Sequence, residues 1–548
     1  MNTIENLEEG RSYDVVVVGG GPVGMGLAIE LGQRGVVTLV VERHIEPQMV
    51  PKGQNLTTRT MEHFNRWGIE ANIRERRPLS KRYTNGFTLY GSLFSEYRYQ
   101  LQARDLVREY YYAGADRLPQ YETEYALRSR VSDLENVTVV FGTEAVDVSQ
   151  AKSGATVTLR QYRGTTTRTV SCKYVVGCDG SRSVVRECGG IAETTSEKRN
   201  DHMALIVFRS EALDERLNAE HPSGYFFNIM RPELSGYWSS IGRVSNNHDF
   251  FFHAPIAEDI EPGSMDFQKF VRDVLGEDFD MEVTYGGLWQ LRVSVAKTFR
   301  NDRIFIAGDA AHSHPPYGGF GINIGFEDAR NLGWKLAARV NGWGGEQLLD
   351  SYSVERRATF VSTSDTFIAG PIAFDAQFLA TYSPSKDEAA FKQAWGNRAD
   401  HAKEAVYKFA CEYVGSPVIA GPTQILIGEK QFSEPSAIGG HSFVAKPGFH
   451  MAPATLSSGQ NFYDVRGDGF TLLALDADDE SIAKVRRAAE KHQVPLTVIR
   501  DKAEGQLRRY EARLVLVRPD DYVAWVAHDG SETAMPNIVE KACGLELE

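Results

Sequence analysis

A glycine-rich turn near the amino terminus has the residue types and spacing that can hold a pyrophosphate. The chain reads YDVVVVGGGPVGMGLAIELGQRGVVTLVVER, and its glycines follow directly on a run of valines. Gly19 permits a tight turn, Gly21 lets the backbone approach a pyrophosphate, and Gly24 lets a helix pack on a strand. Pro22 and Val23 open that helix, whose amino terminus favours negative charge. This turn is the first candidate for chemistry in the chain.

The elements around the turn follow the order that a dinucleotide-binding fold requires. Asp14–Val18 is typical of a buried strand, Val23–Arg34 of a helix and Val37–Val41 of a second strand. Glu42 ends that strand at about the 20-residue spacing expected for an acid that binds a ribose hydroxyl, and Arg43 would lie near the adenosine. Glycines that only make a turn would not explain this complete order.

Two later stretches add acidic residues at strand ends. In KYVVGCDGSRSVVRECGG, a predicted strand runs into Asp179 and Gly180; in RIFIAGDAAHSHPPYGGFGINIGFEDARNLGWKLA, another delivers Gly308 and Asp309 before a glycine-rich loop and a long helix. An aspartate in such a position can accept a hydrogen bond from a ribityl or ribose hydroxyl. Asp179 is also expected to cap the helix that follows it.

With these three motifs in this order, the chain resembles the class A flavoprotein monooxygenases of the aromatic (phenolic) ring hydroxylase kind, densely so from about residue 12 to residue 360. The resemblance implies an α/β fold: a Rossmann-like FAD-binding domain, an interleaved β-sheet substrate domain and a thioredoxin-like C-terminal domain. It implies FAD as bound cofactor and NAD(P)H as transient reductant, because only one dinucleotide fingerprint is present. The reaction it implies is hydroxylation of a phenolic ring by O2 through a flavin C4a-hydroperoxide.

The resemblance also implies which residues contact the cofactor. Gly321, Ile322 and Asn323 would lie against the pyrimidine edge of the flavin and Pro316 over its ring, although Phe320 stands where most phenol-type relatives have glutamine. Gln120 matches a glutamine that contacts FAD in the family, and Arg128 matches an arginine near the flavin. Both residues have an alternative interpretation, as a loop glutamine and a solvated helix arginine. The complete expected set is Gly19, Gly21, Pro22, Val23, Gly24, Glu42, Arg43, Lys52, Gln120, Arg128, Asp179, Gly180, Gly308, Asp309, Pro316, Gly319, Gly321, Ile322 and Asn323.

Substrate-binding residues are expected between the motifs. Residues 82–115 and 222–253 are dense in aromatics and alternate as strands of a separate sheet, although most of these aromatics also fit a simple core. The loop after the second strand, which contains Gln54, is a further candidate for contact with the substrate. The alternative is that this segment only leads into a helix capped by Thr57 or Thr58. The polar residues predicted to bind or activate the phenol are Arg292, His253, Tyr237 and Gln54.

The length of the chain indicates several domains, since single cores stop growing at about 250–300 residues. The resemblance implies a discontinuous FAD-binding domain (1–80, 116–200 and 290–360), a substrate-binding β-sheet domain (81–115 and 201–289) and the thioredoxin-like domain (448–548). The composition of the chain between them predicts a helical segment (361–415) and a linker (416–447).

Composition excludes several other classes. A net charge of -13 argues against nucleic acid or an anionic membrane as partner. The 5 cysteines show no paired spacing, so neither a metal site nor a redox dithiol is expected, and free thiols favour the reducing cytoplasm. No apolar run reaches the roughly 20 residues of a membrane helix. The expected partners are a small phenolic substrate and O2, and a homodimer is left open.

Alternative functions differ in what they require. No two tryptophans stand two residues apart, as the W-x-W-x-I-P motif of flavin-dependent halogenases demands. An FAD-dependent oxidase or dehydrogenase would share every motif and differ only in leaving oxygen out of the product. A non-enzymatic binding protein of the same fold would have no need of the two later motifs.

Overall fold

The computed structural model describes residues 3–7, 10–80, 82–101, 105–195, 202–256, 265–421, 424–427, 430–528 and 537–546. These ranges include every candidate site residue. Three large sheets, of 8, 7 and 4 strands, organise the described chain. None of the helices within these ranges is both long and apolar enough to cross a bilayer.

The amino-terminal part supplies most of the first sheet. Its elements are β1 (Ser12–Val18), α1 (Pro22–Gly32), β2 (Thr38–Glu42), β3 (Asn55–Leu56), α2 (Thr58–Trp67), α3 (Glu70–Glu75), β4 (Asn85–Tyr90), β5 (Arg98–Leu101), β6 (Asp116–Arg117), α4 (Gln120–Ser132), β7 (Val137–Phe141), β8 (Thr143–Ala151), β9 (Gly154–Gln161), β10 (Thr167–Gly177), α5 (Val184–Cys188) and β11 (Glu193–Thr195).

The middle part supplies most of the second sheet. Its elements are β12 (His202–Arg209), α6 (Glu211–Glu220), β13 (Gly224–Met230), β14 (Trp238–Arg243), β15 (Asp249–Ile256), α7 (Phe267–Leu275), β16 (Glu282–Gln290), β17 (Ser294–Ala296) and β18 (Arg300–Asn301).

The remaining elements begin with the strand of the third motif. They are β19 (Ile304–Ile306), β20 (His312–Ser313), α8 (Gly321–Val340), α9 (Glu346–Ser362), α10 (Gly370–Thr381), α11 (Glu388–Lys408), β21 (Phe409–Glu412), β22 (Ile425–Ile427), β23 (Lys430–Phe432), β24 (Ser436–Ile438), α12 (Phe462–Val465), β25 (Phe470–Leu475), α13 (Asp479–Lys491), β26 (Leu496–Asp501), β27 (Leu514–Val517), β28 (Val523–Ala527) and α14 (Ile538–Ala542). A π-helical turn, Thr363–Ala369, joins α9 to α10.

The first sheet brings the three motifs to one edge. Its strand order is β18-β19-β10-β1-β2-β7, and the pairs β19–β10, β10–β1, β1–β2 and β2–β7 are parallel. Val18 pairs with Gly177, and Gly177 pairs with Ile306. Because the carboxyl ends of parallel strands face the same crevice, the turns after β1, β10 and β19 meet there. Helix α1 packs on β1 and β2, and α8 packs against α1 and the turn of the third motif.

The second sheet is built from two separated pieces of chain. Its order is β16-β12-β15-β14-β13-β4-β5. One straight row crosses five of these strands, because Leu205 pairs with His253, His253 with Ser240, Ser240 with Asn228 and Asn228 with Thr88. Since side chains alternate between the two faces of a sheet, these residues share one face.

The carboxy-terminal domain has a mixed sheet of order β26-β25-β27-β28, in which α13 connects the parallel pair β25 and β26. The short helix α12 precedes this sheet, and Asn461 and Asp464 form a capping box at its start. The stretch predicted as a linker is packed: Val418 and Ala420 are buried in the core of this domain.

Candidate active site

A cavity of about 1770 Å³ lies between the carboxyl edge of the first sheet and one face of the second. Single small-molecule pockets usually measure about 300–1,000 Å³, so this cavity has room for two ligands. The candidate residues that line it are Gly21, Pro22, Val23, Lys52, Gln54, Gln120, Gly180, His253, Arg292, Asp309, Pro316, Gly319, Gly321 and Ile322.

The fingerprint turn after β1 closes on itself and leaves one side open. A Cβ atom on Gly19 would lie 2.3 Å from the Cys178 carbonyl oxygen, and one on Gly24 would lie 1.9 Å from the Gly19 carbonyl oxygen. Gly21 has nothing within 4 Å of its Cβ position and lines the cavity. Two glycines therefore permit the packing, and the third leaves the backbone accessible to a ligand.

Glu42 and Arg43 follow the second strand but do not line the cavity. The Glu42 carboxylate accepts hydrogen bonds from the backbone N–H groups of Gly20 and His44, each at 2.7 Å. Arg43 is exposed, and its Nε lies 3.2 Å from His44 Nε2. Glu42 thus ties the fingerprint turn to the end of β2.

Four other candidates belong to the loop after β2 and to α4. Lys52, Gln54 and Gln120 line the cavity, and the Gln120 N–H donates to the Lys52 carbonyl oxygen at 3.0 Å. The Gln120 side chain donates to Glu124 at 2.8 Å, and the buried Gln54 amide donates to a loop carbonyl at 3.1 Å. Arg128 is directed away from the cavity and donates to a backbone carbonyl at 2.6 Å.

The second motif forms a fixed turn with an open glycine. Asp179 accepts from the Ser183 hydroxyl at 2.5 Å and from the Val185 N–H at 3.2 Å, and burial raises the pKa of its carboxyl. The residue that caps α5 is Ser183, so Asp179 supports the cap instead of forming it. Gly180 has a φ of +81° and nothing within 4 Å of its Cβ position.

The third motif is held from behind by a buried aspartate that the sequence pattern did not single out. Asp328 Oδ2 accepts from the Gly308 N–H at 3.0 Å and lies 2.7 Å from His312 Nε2. Asp328 Oδ1 accepts from Arg356 Nε at 2.8 Å. Because Asp328 lies 20 residues beyond Gly308 on α8, only the folded chain brings the two together.

Asp309 is an ionisable group at this edge that is left for a ligand. Its side chain is exposed to the cavity and makes no hydrogen bond within the described residues. Burial raises the pKa of Asp309, while the charges of His312 and Lys52 act to lower it. A carboxylate that faces the cavity without a protein partner is open to a ligand donor or water.

The loop after β20 leads into the amino terminus of α8. Pro316, Gly319, Gly321 and Ile322 line the cavity, and the first N–H groups of α8 have no acceptor within the helix. Phe320, at the position of the usual glutamine, packs its ring 4.7 Å from that of Phe409. The hydrogen-bond donors at the start of α8 are therefore backbone N–H groups, and the side chain at position 320 adds none.

Asn323 locks this helix start to α2. Its Oδ1 accepts from the Thr57 N–H at 2.9 Å and from the Thr60 hydroxyl at 2.6 Å. Its Nδ2 donates to the carbonyl oxygens of Asn55 at 2.8 Å and Gly319 at 2.7 Å. The side chain is fully committed to the protein, so only its backbone can face a ligand. Thr57 caps α2, as one sequence interpretation of this segment predicted.

The second sheet faces the cavity with a polar row between aromatic residues. His253, Ser240, Asn228 and Thr88 stand in register and all line the cavity. Ser240 donates to Asn228 at 2.7 Å, but His253 Nδ1 is buried without a partner. Burial lowers the pKa of His253 to about 4, so its ring is neutral near pH 7.

Aromatic and apolar side chains occupy the same face on both sides of this row. Phe226 and Phe251 stack with ring centroids 6.0 Å apart, and Trp238 and Trp289 also line the cavity. A planar ring lying on the row would contact these side chains.

The two remaining substrate candidates differ in position. Arg292 lines the cavity and forms an ion pair with Glu193. Tyr237 does not line it, and its ring packs 5.5 Å from that of Tyr317. The neighbouring Trp238 faces the cavity instead, and its indole N–H donates to Asp375 at 2.7 Å.

The site as a whole fits a flavin dinucleotide on one wall and an aromatic ring on the other. Open glycines at Gly21 and Gly180, the unpartnered Asp309 and the free N–H groups of α8 suit a pyrophosphate, a polyol and an electron-rich ring edge. No group of three or more His, Cys, Asp and Glu within the described ranges could hold a metal ion. The fold and site therefore define a flavoprotein with a large aromatic pocket.

Comparison with known families agrees with that definition. Residues 12–365 match the FAD binding domain family, and residues 445–545 match the aromatic-ring hydroxylase C-terminal domain. The chain belongs to the FAD-binding aromatic-ring hydroxylases, the class A flavoprotein monooxygenases. The class, the fold class and FAD as cofactor, all predicted from the sequence, are confirmed.

Three similar proteins illustrate the family. The chain is 28% identical to a 4-methyl-5-nitrocatechol 5-monooxygenase of Burkholderia sp, over 94% of each chain. It is 29% identical to a rifampicin monooxygenase of Streptomyces venezuelae, over 96% of this chain and 98% of that protein. The solved structure of RebC with bound 7-carboxy-K252c superimposes with a TM-score of 0.81 at 27% identity, over 98% of this chain and 99% of RebC.

Proposed function

We propose that this protein uses NAD(P)H and O2 to hydroxylate a phenolic ring that lies on the polar row of the second sheet. One observation carries the proposal: a single cavity joins the cofactor edge of the first sheet to that row. A ligand on each wall would share this cavity, which is what oxygen transfer between them requires.

The cofactor wall supplies backbone donors and one carboxylate. We assign the open backbone at Gly21 and Gly180 to the pyrophosphate, the Asp309 carboxylate to a polyol hydroxyl, and the first N–H groups of α8 to the flavin ring edge. FAD, once reduced by NAD(P)H, supplies with O2 the electrophilic oxygen atom that is transferred to the ring.

The substrate wall fixes the ring and handles its proton. His253 is neutral and its imidazole can accept a hydrogen bond from the phenol, which raises electron density at the ortho and para carbons. Ser240 and Asn228 can hold a second oxygen of the ring, since neighbouring strands lie about 4.8 Å apart. Gln54 and Arg292 line other parts of the cavity and are further candidates.

Water must be excluded where the oxygen is transferred, because water there favours wasteful release of hydrogen peroxide. Leu205, Phe226 and Phe251 on the sheet face, with Pro316 on the opposite loop, provide apolar surface for this. The substrate ring itself would displace the remaining water from the row.

The full-length relatives support an oxygenated arene as substrate. The protein from Burkholderia that matches along 94% of this chain is named as a monooxygenase of a nitrocatechol. A catechol has two adjacent oxygens, for which the pair Ser240 and His253 offers two neighbouring polar groups. A cytoplasmic location stays a prediction, and the oligomeric state stays open.

Turnover under labelled oxygen tests the proposal directly. The purified protein is expected to be yellow, to oxidise NADH or NADPH faster when a phenol, resorcinol or catechol is added, and to place one atom of 18O2 in the product. A yellow protein that turns over these rings without label in the product would be an oxidase, and the proposal would be wrong.

A further inference from the structure

We propose that the turn Arg518–Tyr522 of the carboxy-terminal domain is a positioning element of the FAD site, acting through Arg59 on the first turns of α2 and α8. This turn, which we call the 518–522 turn, connects β27 to β28. The inference goes beyond the proposed hydroxylation and rests only on FAD binding. It assigns a role to a domain of which no described residue lines the cavity.

The 518–522 turn is buried, unlike an ordinary hairpin connection. Arg518, Asp520, Asp521 and Tyr522 are 2% exposed or less, although turns normally run over the surface. Asp521 has a φ of +68°, which non-glycine residues seldom adopt. Buried charges and a strained backbone conformation persist only where several surrounding contacts hold them in place.

Arg59 joins the turn to the FAD-binding domain. Its guanidinium donates to the Asp520 carbonyl oxygen at 2.5 Å, to Asp521 Oδ2 at 3.3 Å and to Glu327 Oε2 at 3.2 Å. Glu327 belongs to α8 and Arg59 to α2, so one side chain holds two helices and the turn together. Burial acts to raise the pKa of Asp521, but Arg466, Arg330 and Arg59 hold it well below its usual range.

The next step leads from Arg59 to the cofactor wall. Arg59 lies between Thr57 and Thr60 in the first turn of α2, and both threonines bond to Asn323 Oδ1. Asn323 in turn holds the Gly319 carbonyl oxygen at 2.7 Å. A shift of α2 at Arg59 would therefore move the loop and the helix start that we assign to the flavin edge.

A second route reaches the third motif. Arg518 donates to both carboxylate oxygens of Glu355, at 2.6 and 2.9 Å. The next residue, Arg356, donates to Asp328, which holds the Gly308 N–H. The turn thus braces both sides of the cofactor wall from a domain outside the cavity.

FAD affinity measured on apoprotein tests this role. Asp521→Asn keeps the shape of the turn but removes the negative charge that faces Arg59, Arg330 and Arg466. The FAD Kd in a fluorescence titration is expected to rise at least tenfold. The matched control is Glu540→Gln, because Glu540 is also a buried acid of this domain and pairs with His492 at 3.0 Å, away from the cavity. Its FAD Kd should change less than twofold, even if its thermal midpoint falls.

Two outcomes would overturn the proposal: an unchanged FAD Kd in Asp521→Asn, or an equal rise in Glu540→Gln.

If Asp521→Asn does not fold, Arg59→Lys replaces it, since lysine keeps the charge and loses the fork that spans Glu327 and the turn. Thr60→Val then checks the route, because its effect on the Kd should be less than additive with that of the other variant. Full additivity would reject the route. A wild-type protein that binds no FAD would instead refute the FAD site itself.

Discussion

The two walls of the cavity are made of different parts of the chain. The cofactor wall consists largely of backbone: glycines that leave the backbone open, a helix start, and turns held by side chains behind them. The substrate wall, which we call the sheet wall because the second sheet forms it, consists of side chains that stand in register on strands. One of them is His253, whose Nδ1 is buried and lacks a partner. A wall of backbone recognises one ligand and tolerates little change, whereas a wall of side chains can be altered without loss of the fold.

The largest effect is expected from Gly24→Ala. The new Cβ would meet the Gly19 carbonyl oxygen at 1.9 Å and push the fingerprint turn open. We expect the apoprotein to lose about 2–3 kcal/mol of stability and FAD affinity to fall more than about 100-fold, equivalent to about 2.8 kcal/mol. Chemical denaturation of the apoprotein and a fluorescence titration with FAD measure the two quantities.

Gly21→Ala is the matched control for that change. Its Cβ has nothing within 4 Å, and its φ of -71° suits alanine, so the apoprotein should keep its stability to within about 0.5 kcal/mol. FAD affinity should still fall, because the methyl group enters the cavity where the pyrophosphate is assigned. Equal stability losses in the two variants would contradict the distinction between packing and ligand-facing glycines.

Asp309→Asn should give the next largest effect on FAD affinity, and it should also change how the stability of the apoprotein depends on pH. The carboxylate bonds to no described residue, so its replacement should leave the fold intact and weaken FAD binding about 10- to 100-fold. Because burial raises the folded pKa above the unfolded value of 3.8, the folded apoprotein holds more protons and loses stability as the pH rises through that window. The variant should lack this slope; a fully flavinylated variant with wild-type affinity would contradict the assignment.

His253→Leu probes the sheet wall. FAD binding should be unchanged, while the KM for the phenol rises about tenfold and more NAD(P)H is consumed without product, since one hydrogen bond to the ring is lost. Peroxide release measured against product formation gives the coupling. A loss of FAD together with substrate would mean that the two walls are not separable.

The same residue predicts a pH dependence of stability. Its pKa falls from 6.5 in the unfolded chain to about 4 in the folded protein, so the unfolded state binds more protons in between. Stability should therefore be complete above pH 6.5 and decrease as the pH falls to about 4, by at most about 3 kcal/mol. Denaturation curves of wild type and His253→Leu across this range should differ in slope.

The contrast between the walls also explains what the sequence could predict. Gly19, Gly21 and Gly24 perform roles set by local spacing, so the fingerprint and both later motifs were found at their strand ends. The residues that hold these motifs in place were not predicted. Asp328 and the 518–522 turn are separated in sequence from the residues that they hold by 20 to about 200 positions. No local sequence pattern marks such partners.

For the sheet wall, sequence reasoning selected segments whose strands line the cavity, but it did not fix which residues of those strands face it. Tyr237 was predicted to bind substrate, yet Trp238 is the residue that lines the cavity. A shift of one residue reverses the face in a strand, and the start of β14 at Trp238 could not be fixed from composition. His253 was selected as a polar residue among aromatics, but its row with Ser240 and Asn228 follows only from the pairing register.

The smallest expected effect is that of Ser240→Ala, and it tests the row most finely. Ser240 donates to Asn228 at 2.7 Å, so the change frees the Asn228 carboxamide and removes one oxygen from the middle of the row. FAD affinity and folding should stay at wild-type values, and kcat/KM should fall about three- to fivefold, in line with a single hydrogen bond of about 1 kcal/mol.

The ring position that is hydroxylated in the Ser240→Ala variant should become less uniform, because one of the neighbouring groups that orient the ring is gone. Product analysis by chromatography measures this directly. A variant with unchanged rate and an unchanged single product would show that the ring is held elsewhere in the cavity, which would direct attention to Gln54 and Arg292 on its other side.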